Sequence, residues 1–548
     1  MLRTPRLGLA AWTAAAPMVL CLSGCCTSPR EYRDNGYKVG PNYCRPQAPV
    51  AEHWIDAAKP PDNSDPVDAA KPKVLEVSED LSAWWSVFND PVLDRLIADA
   101  YRQNLSLREA GFRVLQARAQ LGIAQGGFFP QQQFAQGGYR RQGSSMGFFD
   151  QWSSGFNLAW ELDFWGRFRR AIESADDQLD ASVEGYDFVL VTLLADVASN
   201  YVQIRTDQQR IALLEKNVRL QERVRDVVET QLKGGLLTAV DLHQAVSNLK
   251  QTQAQIPQLK IDLRQAANRL CILLGVPPVE LQKNLSVWQA RDEQSENQLK
   301  EAARELDNLI STSLKTRKPL TEQEQQRIES LWRTIGTVYI PDYPSPGFPK
   351  DVAAGIPAEL LRRRPDVRQA ERLAAAQAEQ IGIAEAELYP AFSITGTLGY
   401  QAQKLSQLFT SQAFTGSIGP SFQWNLLNYG RIVNNVRLQD ARLQELVAAY
   451  QNTVLQANQE VEDGLVTFLQ EQQRAELLGG SARAGRNAVI VAINQYSVGK
   501  TSFNQYAVIE QSLVQQEDSW AQARGQIALG LIQVYRALGG GWQIRLGE

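Results

Sequence analysis

Two hydrophobic periods divide this chain. In one, Phe414, Gly416, Ile418, Pro420, Phe422, Trp424 and Leu426 take every second position, with Thr415, Ser417, Gly419, Ser421, Gln423 and Asn425 between them. Such alternation predicts a strand with one oily and one polar face. Phe392, Ile394, Leu398 and Tyr400 alternate likewise with Ser393, Thr395, Thr397 and Gly399. Phe156, Leu158, Trp160, Leu162 and Phe164 mark a third strand, and a glutamine-rich stretch around Pro130 to Arg140 a fourth, less regular one.

The other period is three to four. From Arg167 to about Lys233 apolar residues return as Leu190, Leu193, Val197, Tyr201, Ile204, Ile211, Leu214 and Val218, without a proline. At ~1.5 Å per residue this predicts a helix about 100 Å long, and the sustained spacing implies coiled-coil packing. Gly234-Gly235 breaks the rod, and a return helix runs to about Leu274, stopped by Gly275-Val-Pro-Pro. A second rod spans Arg431 to Ser497, breaks at Gly499 and returns to Leu538. Upstream, Asp90-Pro91 opens a helix reaching about Gln125.

The rods belong to an internal duplication. Ala110, Gly122, Ile123, Ala124 and Pro130 recur as Ala370, Gly382, Ile383, Ala384 and Pro390, an offset of 260 (370 − 110). Trp160, Gly166 and Arg167 recur as Trp424, Gly430 and Arg431, and Gln231 to Gly235 as Gln495 to Gly499. Each copy reads helix, two aromatic strands, long helical hairpin. Two strands cannot close a sheet, so the chain is expected to work in an assembly. The layout is a leader at 1–24, an extended tail at 25–85, a first repeat at 86–280, an insert at 281–351 and a second repeat at 352–541. The insert holds a charged helical stretch and a Pro-rich run, and reads as a decoration at the waist of the rod.

Charge and cysteines narrow the function. The formal net charge is −4, and losing Arg3 and Arg6 with the leader takes it to −6 (−4 − 2). That balance speaks against a nucleic-acid partner. The interior holds no apolar run of the ~20 residues a membrane-spanning helix needs. Cys21, Cys25, Cys26, Cys44 and Cys271 have the spacing of neither a disulfide framework nor a metal site, and no cofactor is expected. Arg3 and Arg6 precede an apolar stretch that ends in Leu22-Ser23-Gly24-Cys25. This resembles a bacterial lipobox, which implies that Cys25 is acylated and becomes the mature N-terminus. Cys26 in place of an aspartate then favours the outer membrane, and an ordinary secretory leader is the alternative.

The strands fit two environments, a soluble sandwich or a lipid-facing sheet with its polar side on water. About 13 tilted residues at ~3.3 Å each cross roughly 30 Å. Phe128, Phe129, Trp160, Trp165, Trp424 and Tyr429 fit the interfacial girdles of the second environment.

Together these features are similar to a TolC-type outer-membrane efflux factor of the lipoprotein branch (OprM/NodT-like). The resemblance rests on the Cys25 lipobox, Val39-Gly-Pro-Asn-Tyr43, Trp84-Trp85, the run from Ile356 to Asp366 and Tyr496-Ser-Val-Gly499. It implies a mainly α fold with a small β part, in which long helical hairpins form a periplasmic barrel. Four strands per protomer would contribute to a trimeric, twelve-stranded transmembrane β-barrel. It further implies a lipid-anchored homotrimer in the outer membrane, a passive exit duct served by a periplasmic adaptor and an inner-membrane pump. In the family the helical tips carry the constriction, often with aspartates. Here Gly235 and Gly499 mark the tip turns, Gln505 and Val508 stand at such aspartate positions, and Asp241 keeps an acid at the equivalent of Gln505. Asp241, Gln505 and Val508 are therefore the candidate gate, with a solvated helix residue as the competing reading of Asp241. Gly166-Arg167 and Gly430-Arg431 mark strand-to-helix junctions, where glycine permits a sharp turn and arginine reaches carboxylates.

Two other classes compete. A lipid-anchored periplasmic coiled-coil structural or adaptor protein explains the rods and leader but not the alternating strands. An enzyme is disfavoured, because the only histidines are His53 and His243 and no phosphate loop, HExxH or nucleophile elbow occurs.

Overall fold

The computed structural model describes residues 27–56, 74–75, 80–145, 147–278, 351–547 and, within 301–339, all but 303, 307, 311, 314, 315 and 317. Cys25 and the leader lie outside the described residues. In chain order the elements are α1 (Pro29–Asp34), β1 (Val74–Leu75), α2 (Pro91–Gln103), α3 (Leu105–Gly126), β2 (Gln132–Ser144), β3 (Gly147–Leu162), α4 (Arg167–Lys233) and α5 (Ala239–Leu273). There follow α6 (Glu322–Tyr339), β4 (Val352–Ala353), α7 (Pro365–Ala386), β5 (Ala391–Ala402), β6 (Phe414–Gln423), α8 (Arg431–Ser497) and α9 (Phe503–Ala537).

The duplication survives as equal lengths. Helices α3 and α7 have 22 residues each, the rods α4 and α8 have 67, and the return helices α5 and α9 have 35. Three boundaries differ from expectation. The helix opened by Asp90 is two helices, because Asn104 turns extended and caps α3, its Oδ1 accepting from the Leu107 N–H at 2.8 Å. Its amide donates to the Leu273 carbonyl at 2.8 Å, so the break is also a tie to α5. Strand β3 ends at Leu162, leaving Phe164 outside it, and β6 ends at Gln423, leaving Trp424 and Leu426 beyond.

The chain packs as two compact units, each drawn from both repeats. One comprises residues up to 49, 110–186 and 365–454; the other comprises 50–109, 187–364 and 455–548.

The first unit holds an antiparallel sheet in the order β2-β3-β5-β6. Arg170, fully buried at the start of α4, organises its junction with the tail. It donates to the carbonyls of Val39 and Gly40 and pairs with Glu379 of α7. The Val39 N–H donates to the Trp165 carbonyl at 3.0 Å. Gly40 has φ +84°, and a Cβ on it would lie 2.5 Å from the Cα of Gly382. Glycine at both positions lets tail and helix touch backbone to backbone.

In the second unit Trp84 stacks on Tyr535 of α9 with ring centroids 5.4 Å apart, and the Trp54 indole donates to the Gly355 carbonyl at 2.8 Å. Arg364 donates to the Ala537 carbonyl at 2.9 Å and pairs with Glu460. Asp187 accepts both arms of Arg545, at 2.7 and 2.9 Å. From the insert, Ile310, Leu320, Ile328 and Leu331 join one buried cluster with Val224, Val228, Ile490, Ile493, Tyr496 and Phe503. The Leu320 N–H donates to Asn494 at 2.8 Å, three residues before α8 ends at Ser497. The described part of the insert therefore packs toward the helical tips, not at mid-rod. Ala302, Leu306 and Ile310, four apart, and Ile328 and Leu331, three apart, give the insert the apolar stripes that meet the rods there.

Replacing Arg170 with alanine leaves Glu379 and two backbone carbonyls buried without their donor. Breaking a buried pair from one side costs about 3–5 kcal/mol. Arg170→Ala is expected to lower the thermal unfolding midpoint, followed by circular dichroism; an unchanged midpoint would remove its anchoring role.

Candidate functional site

The sheet of the first unit has two chemically distinct faces. Its pairing sets Ala135 opposite Phe156, Phe156 opposite Leu398 and Leu398 opposite Gly416, so these side chains share one face. On that face lie Tyr139, Trp152, Leu158, Trp160, Ile394, Tyr400, Ile418 and Phe422. Leu398 is 57 % exposed, Ile418 77 % and Phe422 70 %. Gln136, Arg140, Gln151, Asn157, Glu161, Thr395, Thr397, Ser417 and Ser421 occupy the other face, where Thr397 and Ser417 hydroxyls are 2.9 Å apart. A soluble sandwich would cover the apolar face, yet here Phe156, Leu398, Phe414, Ile418 and Phe422 on it are exposed. The outer strands β2 and β6 likewise have no further strand beside them among the described residues.

The aromatic residues at the strand ends act in matched pairs. Trp160 donates to the Phe128 carbonyl at 3.2 Å, and Trp424 to the Leu388 carbonyl at 2.9 Å, the same bond in each repeat (128 + 260 = 388). Trp165 donates to the Pro390 carbonyl at 2.8 Å and stacks on Tyr389.

At the junctions Gly166 and Gly430 have φ +82° and +80°. A Cβ on Gly166 would lie 2.6 Å from Lys38 Cγ, a further demand for glycine. Arg167 reaches Glu161 at 3.2 Å as expected. Arg431 has no carboxylate partner among the described residues, because Asn425 stands at the equivalent of Glu161 (161 + 264 = 425). The carboxylate role proposed for both arginines thus holds in the first repeat only.

The tips lie in the second unit. Gly235 and Gly499 have φ +73° and +75°. The N–H groups of Leu236 and Lys500 donate back to the carbonyls of Gln231 and Gln495, each at the end of a rod, at 2.9 and 2.8 Å. These are glycine C-caps of the Schellman kind, which accounts for the repeated Gln-to-Gly motif. Asp241 is the third residue of α5, and its Oδ2 accepts from the Thr238 N–H at 3.0 Å and hydroxyl at 2.7 Å. Gln505 is the third residue of α9, its N–H donating to Ser502 at 3.3 Å and its side chain accepting from Thr501 at 2.9 Å. Asp241 completes a capping box with Thr238, while Gln505 is bonded to the two residues that precede α9, roles independent of any gate. Val508 is exposed.

The sequence reading missed the core behind the tips. The Tyr496 hydroxyl donates to Gln231 at 2.9 Å, and its ring packs on Phe503 and Tyr506. Below it Glu510 is buried beside Tyr506, with Oε1 lacking a hydrogen-bond partner. Burial pushes its carboxyl up to about 8, the Tyr506 hydroxyl offsetting only part of that. Glu517 behaves oppositely. Burial works against its charge, but Lys216 and Arg486 outweigh it and hold the carboxyl below the usual range. Arg486 donates to it at 2.8 Å. The signal was the spacing Tyr506, Glu510, Leu513, Glu517, which sets two acids on the buried stripe of α9.

The family described as Outer membrane efflux protein matches residues 96–276 and 356–540. Nodulation protein T of Rhizobium leguminosarum bv. viciae is 27 % identical over 532 residues, covering 96 % of this chain and 93 % of that protein. Outer membrane protein OprJ of Pseudomonas aeruginosa is 26 % identical over 512 residues, covering 92 % and 93 %. Among solved structures, the outer-membrane channel OprN has a TM-score of 0.71 at 28 % identity, covering 92 % of this chain and 99 % of its own.

A carboxyl protonated when folded makes stability fall as pH rises from its ordinary value of 4.5 to about 8, and level off above. Glu510→Gln is expected to remove that slope. The variant should match the parent at pH ~5 and melt at a higher temperature at pH ~9; parallel profiles across the range would refute a neutral Glu510.

Proposed function

Because this chain belongs to the outer membrane efflux protein family, we propose that it is the passive exit duct of a tripartite efflux system. Three copies close their strands into one barrel through the outer membrane, and the helical hairpins extend into the periplasm. A lipid on Cys25 anchors each copy. A periplasmic adaptor and an inner-membrane pump deliver the cargo and supply the energy, so the duct needs no catalytic group. The observation that carries this reading is the two-faced sheet with open edges. Its oily face suits hydrocarbon, its polar face suits a water-filled lumen, and in lipid its unpaired edge groups must find partners on another strand.

Purified protein added to planar bilayers is expected to give long-lived, uniform conductance steps. A preparation that extracts as a soluble monomer and conducts nothing would favour a coiled-coil spacer instead.

Asp241, with Gln505 and Val508, forms the gate in this proposal, through an acidic ring on the symmetry axis. Asp241→Asn removes the charge while keeping an oxygen for Thr238. Cation block of single channels should weaken in this variant; unchanged block would leave Asp241 as a helix cap alone.

A further inference from the structure

Both helical hairpins weaken at nearly the same distance from their tips. In α5, Pro257 stands inside the helix, 18 residues beyond its start (257 − 239), and has no N–H to give the Gln253 carbonyl. In α8, Gly479 and Gly480 lie 18 and 17 residues before the end at Ser497 (497 − 479, 497 − 480). At ~1.5 Å per residue each place is roughly 27 Å from the tip-side end of its helix. Contacts with α9 agree within about a turn. Gln511 donates to Gln251 at 2.7 Å, which sets Pro257 level with Glu517 (511 − 251 = 260, 257 + 260 = 517), while a Cβ on Gly479 would lie 3.0 Å from Trp520 Nε1. Neither weakness is a property of the repeat. Ala521 stands at the equivalent of Pro257, and Glu215 and Lys216 at the equivalents of the two glycines, by an offset of 264 (431 − 167). Nothing lies within 4 Å of a Cβ on Gly480, so glycine there supplies backbone freedom, not room.

The insert crosses this level. It leaves the chain beyond Leu273 of α5 and rejoins it ahead of Arg364, which donates to the Ala537 carbonyl of α9. Leu273 and Ala537 are each 34 residues from the tip-side end of their helix (273 − 239, 537 − 503), so both roots lie above the weak level. The hairpin built by the insert is seated below it. Arg327 joins the two limbs of that hairpin by donating to Glu305 at 2.8 and 2.7 Å, and the Leu320 N–H is held by Asn494. Ile310 and Ile328 are buried in one cluster with Val224 and Val228 of α4 and Ile490 and Ile493 of α8, which stand 4–9 residues before the rod ends (497 − 493, 233 − 224). Polar contacts alone would hold this part of the rods badly. Both polar atoms of Gln221 on α4, and Glu510 Oε1 on α9, are buried without a hydrogen-bond partner, which opposes close packing.

We infer that the tip segments beyond Pro257 and Gly480 are hinged, and that the insert is a clamp across the hinge, holding the two hairpins of one chain together near their ends. Rooted on one side of the weak level and seated on the other, it resists any swing of one hairpin away from its neighbour. Its apolar stripes supply the attraction that the polar atoms between the rods do not. Release of the insert lets the tips part and widens the end of the duct. The inference rests on the passive duct proposed above and adds the part of this chain that regulates it. The sign of each change follows: loosening the seat favours the open end, and stiffening the hinge favours the closed one.

Full-length protein in planar bilayers tests both parts. Ile310→Ser with Ile328→Ser loosens the seat without altering the rods. Amide exchange across 301–331, followed by mass spectrometry, should become about tenfold faster or more, while exchange in the β-strands keeps the parent's rate. The open probability of single channels should rise about threefold or more in the same variant. Ile310→Val with Ile328→Val keeps the stripes apolar and should stay near the parent in both readouts. Gly480→Ala meets no neighbour and favours the helix, so the open probability should fall by about threefold. A loosened insert with the parent's open probability overturns the clamp, and an insert whose exchange is unchanged overturns its seat and the clamp with it. Gly480→Ala with no effect on opening overturns the hinge. In these three outcomes channels still conduct and the duct stands. Parent protein that conducts nothing overturns the duct and this inference together.

Discussion

An unpaired strand edge cannot stay unpaired in hydrocarbon. Each backbone N–H or C=O left without a partner there costs several kcal/mol, and no water is at hand to replace it. Four strands with an oily face cannot therefore be a finished structure in the outer membrane, where this family of efflux proteins resides. The duplication answers the constraint within the chain by pairing β3 with β5. The same pairing, repeated between copies, leaves no edge. That economy explains why the repeat conserves lengths so strictly, with rods of 67 residues and return helices of 35 in both copies. A ring built from equivalent units needs equivalent spacers.

Sequence patterns reveal an element when its environment is periodic and one-sided. The rods were readable to the residue, since Arg167, Lys233, Arg431 and Ser497 end them and the caps at Gly235 and Gly499 are local chemistry. Strand β2 was faint because its apolar face uses Ala135, Gly137 and Arg141, which give little contrast with glutamine on the other side. The break at Asn104 was invisible for a different reason. Its amide is held by the Leu273 carbonyl, 169 residues away, and no local pattern reports such a bond. The same holds for Arg170, whose partners come from the tail and from α7. For the tips, sequence supplied Asp241 and Gln505 as acid and amide in equivalent places. Structure adds that each is bonded to its own helix start.

The insert shows how packing decides location where charge composition does not. Residues 277–355 fall between the two stretches matched by the family, so family likeness says nothing of them. Their charged and Pro-rich sequence suggested a decoration at the waist of the rod. Ile310 and Ile328 are nonetheless fully buried, and Leu320 is tied to Asn494. Burying a side chain of this size contributes about 1.5–3 kcal/mol, enough for several together to order a charged hairpin against the rod ends.

The buried stripe of α9 joins these points into one argument about the tips. A helical hairpin meant only to hold its shape would fill that stripe with leucine, as the spacing permits. Instead Glu517 is ionised against Arg486 and Lys216, while Glu510, two turns away, lies in an apolar cluster that favours its neutral form. An acid held neutral by burial makes the fold less stable as pH rises above its ordinary range, because the unfolded chain releases the proton that the folded chain keeps. The insert, Tyr496, Phe503 and Tyr506 belong to that same cluster. The described part of the segment between the family-matched stretches packs on the same apolar cluster that lies beside Glu510.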